Sequence, residues 1–500
     1  MRTTFSGIYI ALRALQAQQV SLDITGHNVA NANNPNYSRQ TAVHTATRPF
    51  PTPTMGYTSS NGQVGTGVEI SQIVRMRDSF VDMRLRQQMQ SRNFWETIEQ
   101  GLSQVELFFN EPSENSIHYA LDQLWDSLQD LSRDPELMAV REVVVQRAQL
   151  LVESIRGTRE HLQRLSENLN DNIPIKVGEV NILAQRLAAL NAEIGKVSAT
   201  GSMPNDLLDT RDALLEDLSK LVDIEVVQDF GNMVTVTIGG ATLVHRGKAY
   251  ELSTATEKDS AFSYDKNQIV WKDTGSKAQI SGGEIGGMLK LRDEELQYFI
   301  EQLDQWTWEF AVEFNKIHQN GYDLYGDGGA YDPSDPNSQV FRFFTFDTLE
   351  TPPDLDSPHD ARATFAAANI KINADIVKDV GKIRASSLPD ARGNGDNALQ
   401  LAKLRSEPPG TSTVTLGDKF NAIIANLGVK AQEAIRMTEN QVVLENHLLN
   451  LKESISGVSL DEEMANMIRF QHAYSAAARM MTAVDETLDI IINRLGIVGR

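Results

Sequence analysis

The chain has 500 residues, 41% of them hydrophobic and 23% charged, with a formal net charge of −21. That length calls for about three domains, and the acidic balance argues against nucleic acid or an anionic membrane as a partner, because phosphate surfaces need clustered Lys and Arg. Cysteine is absent, which excludes disulfides, thiolate metal sites, iron–sulfur clusters and a cysteine nucleophile together.

At the N-terminus, Phe5, Ile8, Leu12, Leu15, Gln19, Leu22, Gly26 and Val29 recur at alternating steps of three and four. This is a heptad seam with a polar break at Gln19. Arg13, Gln16, Gln18 and Gln19 interrupt the apolar patch, so no secretory signal with a small-residue cleavage site can be drawn. No stretch approaches the ~18 apolar residues that span a bilayer. "NVANANNPNYSRQ" (28–40) then reads as a helix end followed by a tight turn. Pro35 fixes its own φ, and Asn36 takes the position that wants a positive one. Asn28 and Asn31 carry short amides suited to bonding nearby backbone groups.

"GQVGTG" (62–67) reads as a turn entering a strand. A helix runs over 78–109, and helical segments continue across 115–200 with Pro112, Pro135 and Pro174 as breakers. Pro204-Asn205-Asp206 opens a helix over 205–222. The period then changes to two: 224–227, 233–238 and 241–244 form a hairpin turning at Gly239-Gly240, and 262–265 with 269–272 form a second. "GGEIGGMLKL" (282–291) leads into a helix reaching Ile317. From 321 to 409 prolines concentrate in "DPSDPNS" and "TPPDLDSPHD", with "QVFRFFTF" and "ATFAAANIKIN" as candidate strands. A helix over 418–456 returns toward a second seam: Leu460, Met464, Met467, Gln471, Tyr474, Ala478, Met481, Asp485, Leu488, Ile492 and Leu495. Ser459 with Glu462 makes its capping box.

The predicted fold is mainly α with β insertions. A terminal coiled-coil domain is drawn from 1–45 plus 457–500. A long helical-bundle domain takes 46–325 plus 395–456, with β-hairpins near 224–272. A small inserted β-containing domain, facing outward, takes 326–394. Each terminal stripe is too narrow to fold alone.

Catalytic chemistry finds no foothold. The nine His are scattered without metal-ligand spacing. "GNGDNA" (393–398) lacks the strand a dinucleotide fingerprint needs. "DLYGDGGAYD" (323–332) misses the spacing of a Ca²⁺ loop. Neighbouring acids such as Glu294-Glu295 do not face each other on a helix. No catalytic residue, cofactor or metal is expected.

"GHNVANANNPNYSRQ" (26–40) resembles the N-terminal motif of flagellar rod, hook and hook-associated proteins, with Asn36 where that family usually has Gly. "GVSLDEEMANMIRFQHAYSAAARMM" (457–481) is similar to the family's C-terminal motif. "PNDLLDTRDALLEDLSKLV" (204–222), "GGEIGGMLKLRD" (282–293), "EFNKIHQNGYDLYG" (313–326) and "IKINADIVKDVGKIRAS" (370–386) narrow the resemblance to the hook–filament junction family, hook-associated protein 1; only about 327–369 has no counterpart.

The resemblance implies a non-catalytic, self-assembling axial subunit: a homo-oligomeric ring at the hook tip, between hook protein and hook-associated protein 3. It implies export through the flagellar type III channel without a cleaved signal, a cytoplasmic chaperone on the C-terminal segment, and an extracellular place in the flagellum. The candidate assembly interface combines the stripes and motifs: Leu12, Leu15, Leu22, Asn28, Val29, Asn31, Tyr37, Met464, Phe470, Gln471, Tyr474, Ala478, Met481 and Leu488. The rival from another class is an enzyme or adhesin carried by the 321–409 insert, whose lone His359 offers no acid–base grouping.

Overall fold

The computed structural model describes residues 5–49, 65–111, 113–114, 116–258, 264–329, 341–346, 365–409 and 413–494. In chain order its elements are α1 (Ser6–Ala30), β1 (Gln40–Ala46), β2 (Val68–Arg75), α2 (Ser79–Phe109), α3 (Ile117–Arg133), α4 (Met138–Ala199) and α5 (Asn205–Leu221). Strands β3 (Glu225–Gln228), β4 (Val234–Ile238), β5 (Ala241–His245), β6 (Lys248–Ala249), β7 (Leu252–Glu257) and β8 (Lys266–Trp271) follow. Then come α6 (Gly283–Lys290), a π-helical turn (Leu291–Glu295), α7 (Leu296–Gln319), β9 (Phe344–Phe346), α8 (Ala366–Asn369), β10 (Ile370–Ile372), α9 (Ala374–Lys378), α10 (Asp396–Lys403), α11 (Leu416–Ser456) and α12 (Leu460–Asp489). The fold is mainly α with small antiparallel sheets.

The described chain divides into two compact units, of residues 1–91, 179–251 and 441–500, and of residues 92–178 and 252–440. In the first, β1 and β2 pair antiparallel with a bulge at Val43/His44. Strands β3 to β6 form a meander, whose β4–β5 turn places Gly239 and Gly240 at φ 53° and 79°. Those are the angles a two-residue hairpin turn demands and side chains resist. Val234, Val236 and Ile238 alternate inward from β4.

In the second unit the core is aromatic. Trp306 lies 5.7 Å from Phe310 and 5.0 Å from Phe420, while Phe314, Phe343 and Phe344 pack at about 5 Å from one another. The indole N–H of Trp306, buried with its ring, donates to the Leu416 carbonyl at 2.9 Å. Arg141, also buried, donates to the carbonyls of Pro135 (2.7 Å) and Ile383 (2.7 Å). Pro174 sits inside α4 without ending it; Ile173 and Val177 beside it are buried, and that packing offsets the missing hydrogen bond.

Two local expectations are corrected. The partner of β8 is β7, paired Leu252↔Trp271 to Glu257↔Lys266, and not 262–265. Tyr264 and Asp265 are outside any strand, and 262–263 lie outside the described residues. The short run "STATE" mixes small and polar residues and so shows a weak period. In "ATFAAANIKIN", of which 363–364 lie outside the described residues, Ile370–Ile372 forms strand β10, and Ala366–Asn369 before it forms α8, as Ala favours.

Candidate functional site at the paired termini

Helices α1 and α12 run antiparallel within the first unit. A Cβ built on Gly7 would stand 3.1 Å from Val484, and twenty-one residues along each helix Asn28 hydrogen-bonds Glu463. The buried face of α1 is Ala11, Ala17, Ser21, Ile24, Thr25 and Asn28. Most of these side chains are small, which lets neighbouring backbone come close. Ser21 and Thr25 turn their hydroxyls back onto the carbonyls of Ala17 and Ser21, both at 2.9 Å, so the buried oxygens stay satisfied.

Asn28, 1% exposed, uses its whole hydrogen-bonding capacity. Its amide nitrogen donates to the Gln40 carbonyl (2.9 Å) and Glu463 Oε2 (3.1 Å); its oxygen accepts from Tyr37 Oη (2.7 Å) and Gln40 N–H (3.0 Å). Burial, then the carboxylates of Asp206, Asp209 and Glu463, hold the Tyr37 phenol well above its ordinary pKa, so it stays a donor. The turn itself closes from Tyr37 N–H to the Asn34 carbonyl at 3.1 Å. Asn36 does not take the positive φ expected of it. Its N–H instead donates to Asn34 Oδ1 at 3.1 Å, an Asx-turn that stabilises the bend without left-handed backbone.

Each residue that follows makes a different tie. Ser38 donates through its N–H and hydroxyl to Asp209 (3.0 and 2.7 Å). Arg39 pairs with Glu462 and Glu463, each at 2.8 Å, and its N–H reaches the Ser456 carbonyl at 2.9 Å. Gln40 donates to Asp206 (2.9 Å) and accepts from Asn205 (3.1 Å). Ser459 does cap α12, but Glu462 is paired with Arg39. The stronger charge-assisted partner takes the carboxylate a capping box would use.

Beneath the turn lies an ionic cluster that the sequence reading missed. Arg75 pairs with Asp209 (2.7 Å) and Asp212 (3.0 Å). Arg77 pairs with Asp82 (2.6 Å), Asp212 (3.3 Å) and Glu216 (3.3 Å), and Lys452 with Glu216 (2.6 Å). Burial opposes ionisation of Asp212, yet the guanidinium groups of Arg211, Arg77 and Arg75 outweigh it and hold its pKa below the usual carboxylate range. The signal was present: Asp206, Asp209, Asp212 and Glu216 recur at steps of three and four, which sets four acids on one face of α5.

The candidate interface residues divide by exposure. Asn28 and Leu488 are buried, and Tyr37 and Asn31 are half-buried, with the Asn31 amide on the His27 carbonyl at 3.0 Å. Phe470, half-buried, stacks on His44 at 6.4 Å. Leu15, Leu22, Val29, Ala478 and Met481 are half-buried. Leu12 (40% exposed), Met464 (58%) and Tyr474 (38%) stand in solvent, as does Gln471. Leu495 of the C-terminal stripe lies outside the described residues. Part of each stripe is therefore covered within the chain, and part, at Leu12, Met464 and Tyr474, is left open.

Comparison with known proteins assigns this arrangement first to a class. The description "Flagella basal body rod protein" matches residues 8–37, and "Flagellar basal body rod FlgEFG protein C-terminal" matches 453–495. The paired termini are thus those of a flagellar axial structural protein. "Flagellar hook-associated protein FlgK helical domain" matches 102–331. The chain is 35% identical to flagellar hook-associated protein 1 of Bacillus subtilis strain 168, over 100% of both chains. It is 26% identical to the Escherichia coli K12 protein of the same name, over 97% of this chain and 98% of that one. The flagellar hook junction protein FlgK of Burkholderia pseudomallei shares the fold at a TM-score of 0.62 and 16% identity, covering 75% of this chain and 100% of that one. The chain belongs to the flagellar hook-associated protein 1 family, structural proteins of the hook–filament junction.

Proposed function

We propose that this chain builds the junction by self-association through the open faces of α1 and α12, as a homo-oligomeric ring at the hook tip. Hook protein lies on one side and hook-associated protein 3 on the other. The observation that carries this reading is the exposure of Leu12, Met464 and Tyr474 on helices already joined to each other. Large apolar groups left in solvent beside a rigid polar lock mark a surface completed by neighbours. In this reading 1–45 with 457–500 forms the inner, axial domain, 46–325 with 395–456 the helical body, and 326–394 an outward-facing insert.

The subunit acts without catalysis and outside the cell, reaching the hook tip by type III export after a cytoplasmic chaperone has held its C-terminal segment. The test is electron microscopy of cells lacking the gene. Hooks of normal length without filaments support the reading; filaments on those hooks contradict it.

A further inference from the structure

Beside the ionic cluster of the first unit is a cavity of about 530 Å³, within the size of small-molecule sites, roughly 300–1,000 Å³. Met83 and Met203, each nearly half exposed, line its solvent side, and Leu208, Leu215, Val226 and Val234 give it apolar walls. Its charges do not balance. Asp82 is taken by Arg77, Asp209 by Arg75, Asp212 by Arg75 and Arg211, and Glu216 by Arg77 and Lys452.

Arg86, on the cavity wall, makes no hydrogen bond or ion pair among the described residues. Burial is the main influence on it and lowers its pKa, with Asp82 and Asp212 acting only through space. A second group on the same wall is unmet: Asn205 is 7% exposed, and its buried Oδ1 has no donor among the described residues. Its orientation is set, because its nitrogen already donates to Gln40 (3.1 Å) and the Ile73 carbonyl (3.2 Å).

We propose that this cavity binds a small monocarboxylate that also carries an N–H or O–H donor and an apolar side chain. The carboxylate pairs with Arg86, the donor meets Asn205 Oδ1, and the side chain lies against Leu208, Leu215 and the two valines. A half-buried guanidinium with no fixed counter-charge on an apolar-walled cavity is open to a carboxylate, whose charge-assisted hydrogen bonds are among the strong ones.

The test is calorimetric titration of the full-length monomer with N-acetyl-L-leucine and, as control, N-acetyl-L-leucinamide. Saturable binding of the acid but not the amide is expected. Arg86→Met should weaken it by about tenfold or more, the worth of a charge-assisted hydrogen bond, while melting at or above the wild-type temperature. Arg84→Met, altering an exposed side chain stacked 5.3 Å from the Phe80 ring, should leave binding unchanged. Absence of binding to the wild type, equal binding of the amide, or undiminished binding to Arg86→Met would overturn the proposal. So would a lowered melting temperature of Arg86→Met, which would make Arg86 a structural group.

Discussion

Asn28 and Glu463, 435 positions apart, share a buried hydrogen bond of 3.1 Å. It joins the last turn of the first helix to the first turn of the last one. Asn28→Ala removes four hydrogen bonds at once and leaves buried partners unmet, at ~1–3 kcal/mol for each group left so. A loss of about 3 kcal/mol or more is expected by urea titration of the monomer. Asn28→Asp sets a carboxylate against Glu463 and a carbonyl, and should be at least as damaging at pH 7. An Asn28→Asp protein as stable as wild type would show that the lock contributes little.

The ionic cluster predicts an acid limit for the first unit. The pKa of Asp212 is depressed in the folded state, so its contribution is present above the unfolded value of ~4 and lost as pH falls through the lower folded value. Stability should decline below about pH 4. Arg77→Met leaves Asp82 and Asp212 short of a partner and should cost about 3–5 kcal/mol at pH 7. If it melts like wild type, the cluster is not holding α5 against the strand pair.

In the second unit His318 is fully buried, its Nε2 accepting the Arg384 N–H at 3.1 Å. Burial, with Arg384 beside it, pushes its pKa down to about 3. The unfolded chain binds that proton first, so stability is lost as pH falls from about 6.5 toward 3. His318→Gln should flatten the melting temperature over that range; an unaltered slope would place the titrating group elsewhere.

Gly287 explains part of the 282–293 motif. A Cβ there would meet the Phe94 carbonyl oxygen at 2.7 Å and Thr97 Cβ at 2.9 Å, where α6 lies on α2. Gly287→Ala should destabilise by about 1–3 kcal/mol. A melting temperature unchanged by the substitution would mean the two helices separate freely.

These sites show what was legible. Helices with local start signals, such as α5 after Pro204 and α12 capped by Ser459, follow from local chemistry that the tertiary fold does not oppose. The heptad stripes were legible as apolar faces, but periodicity cannot tell which face a helix buries within its own chain. In α1 Ala11, Ala17, Ser21 and Thr25 are buried together with Ile24, while Tyr9 and Leu12 are left open. The tie from Ser38 to Asp209 spans 171 positions, and no local pattern pairs such distant groups. The missed strand β7 was hidden by its mixed composition, and Asn36 by an Asx-turn that competes with positive φ.

The central claim is that the open stripes of α1 and α12 are the assembly surface. The most direct measurement uses Tyr474→Asp in cells carrying no other copy, with hook tips viewed by electron microscopy and the medium assayed for the protein. Tyr474 is exposed, so the purified monomer should melt as wild type does. The account predicts bare hooks and mutant subunits released into the medium. Hooks capped and bearing normal filaments, with the variant built into the junction, would contradict it.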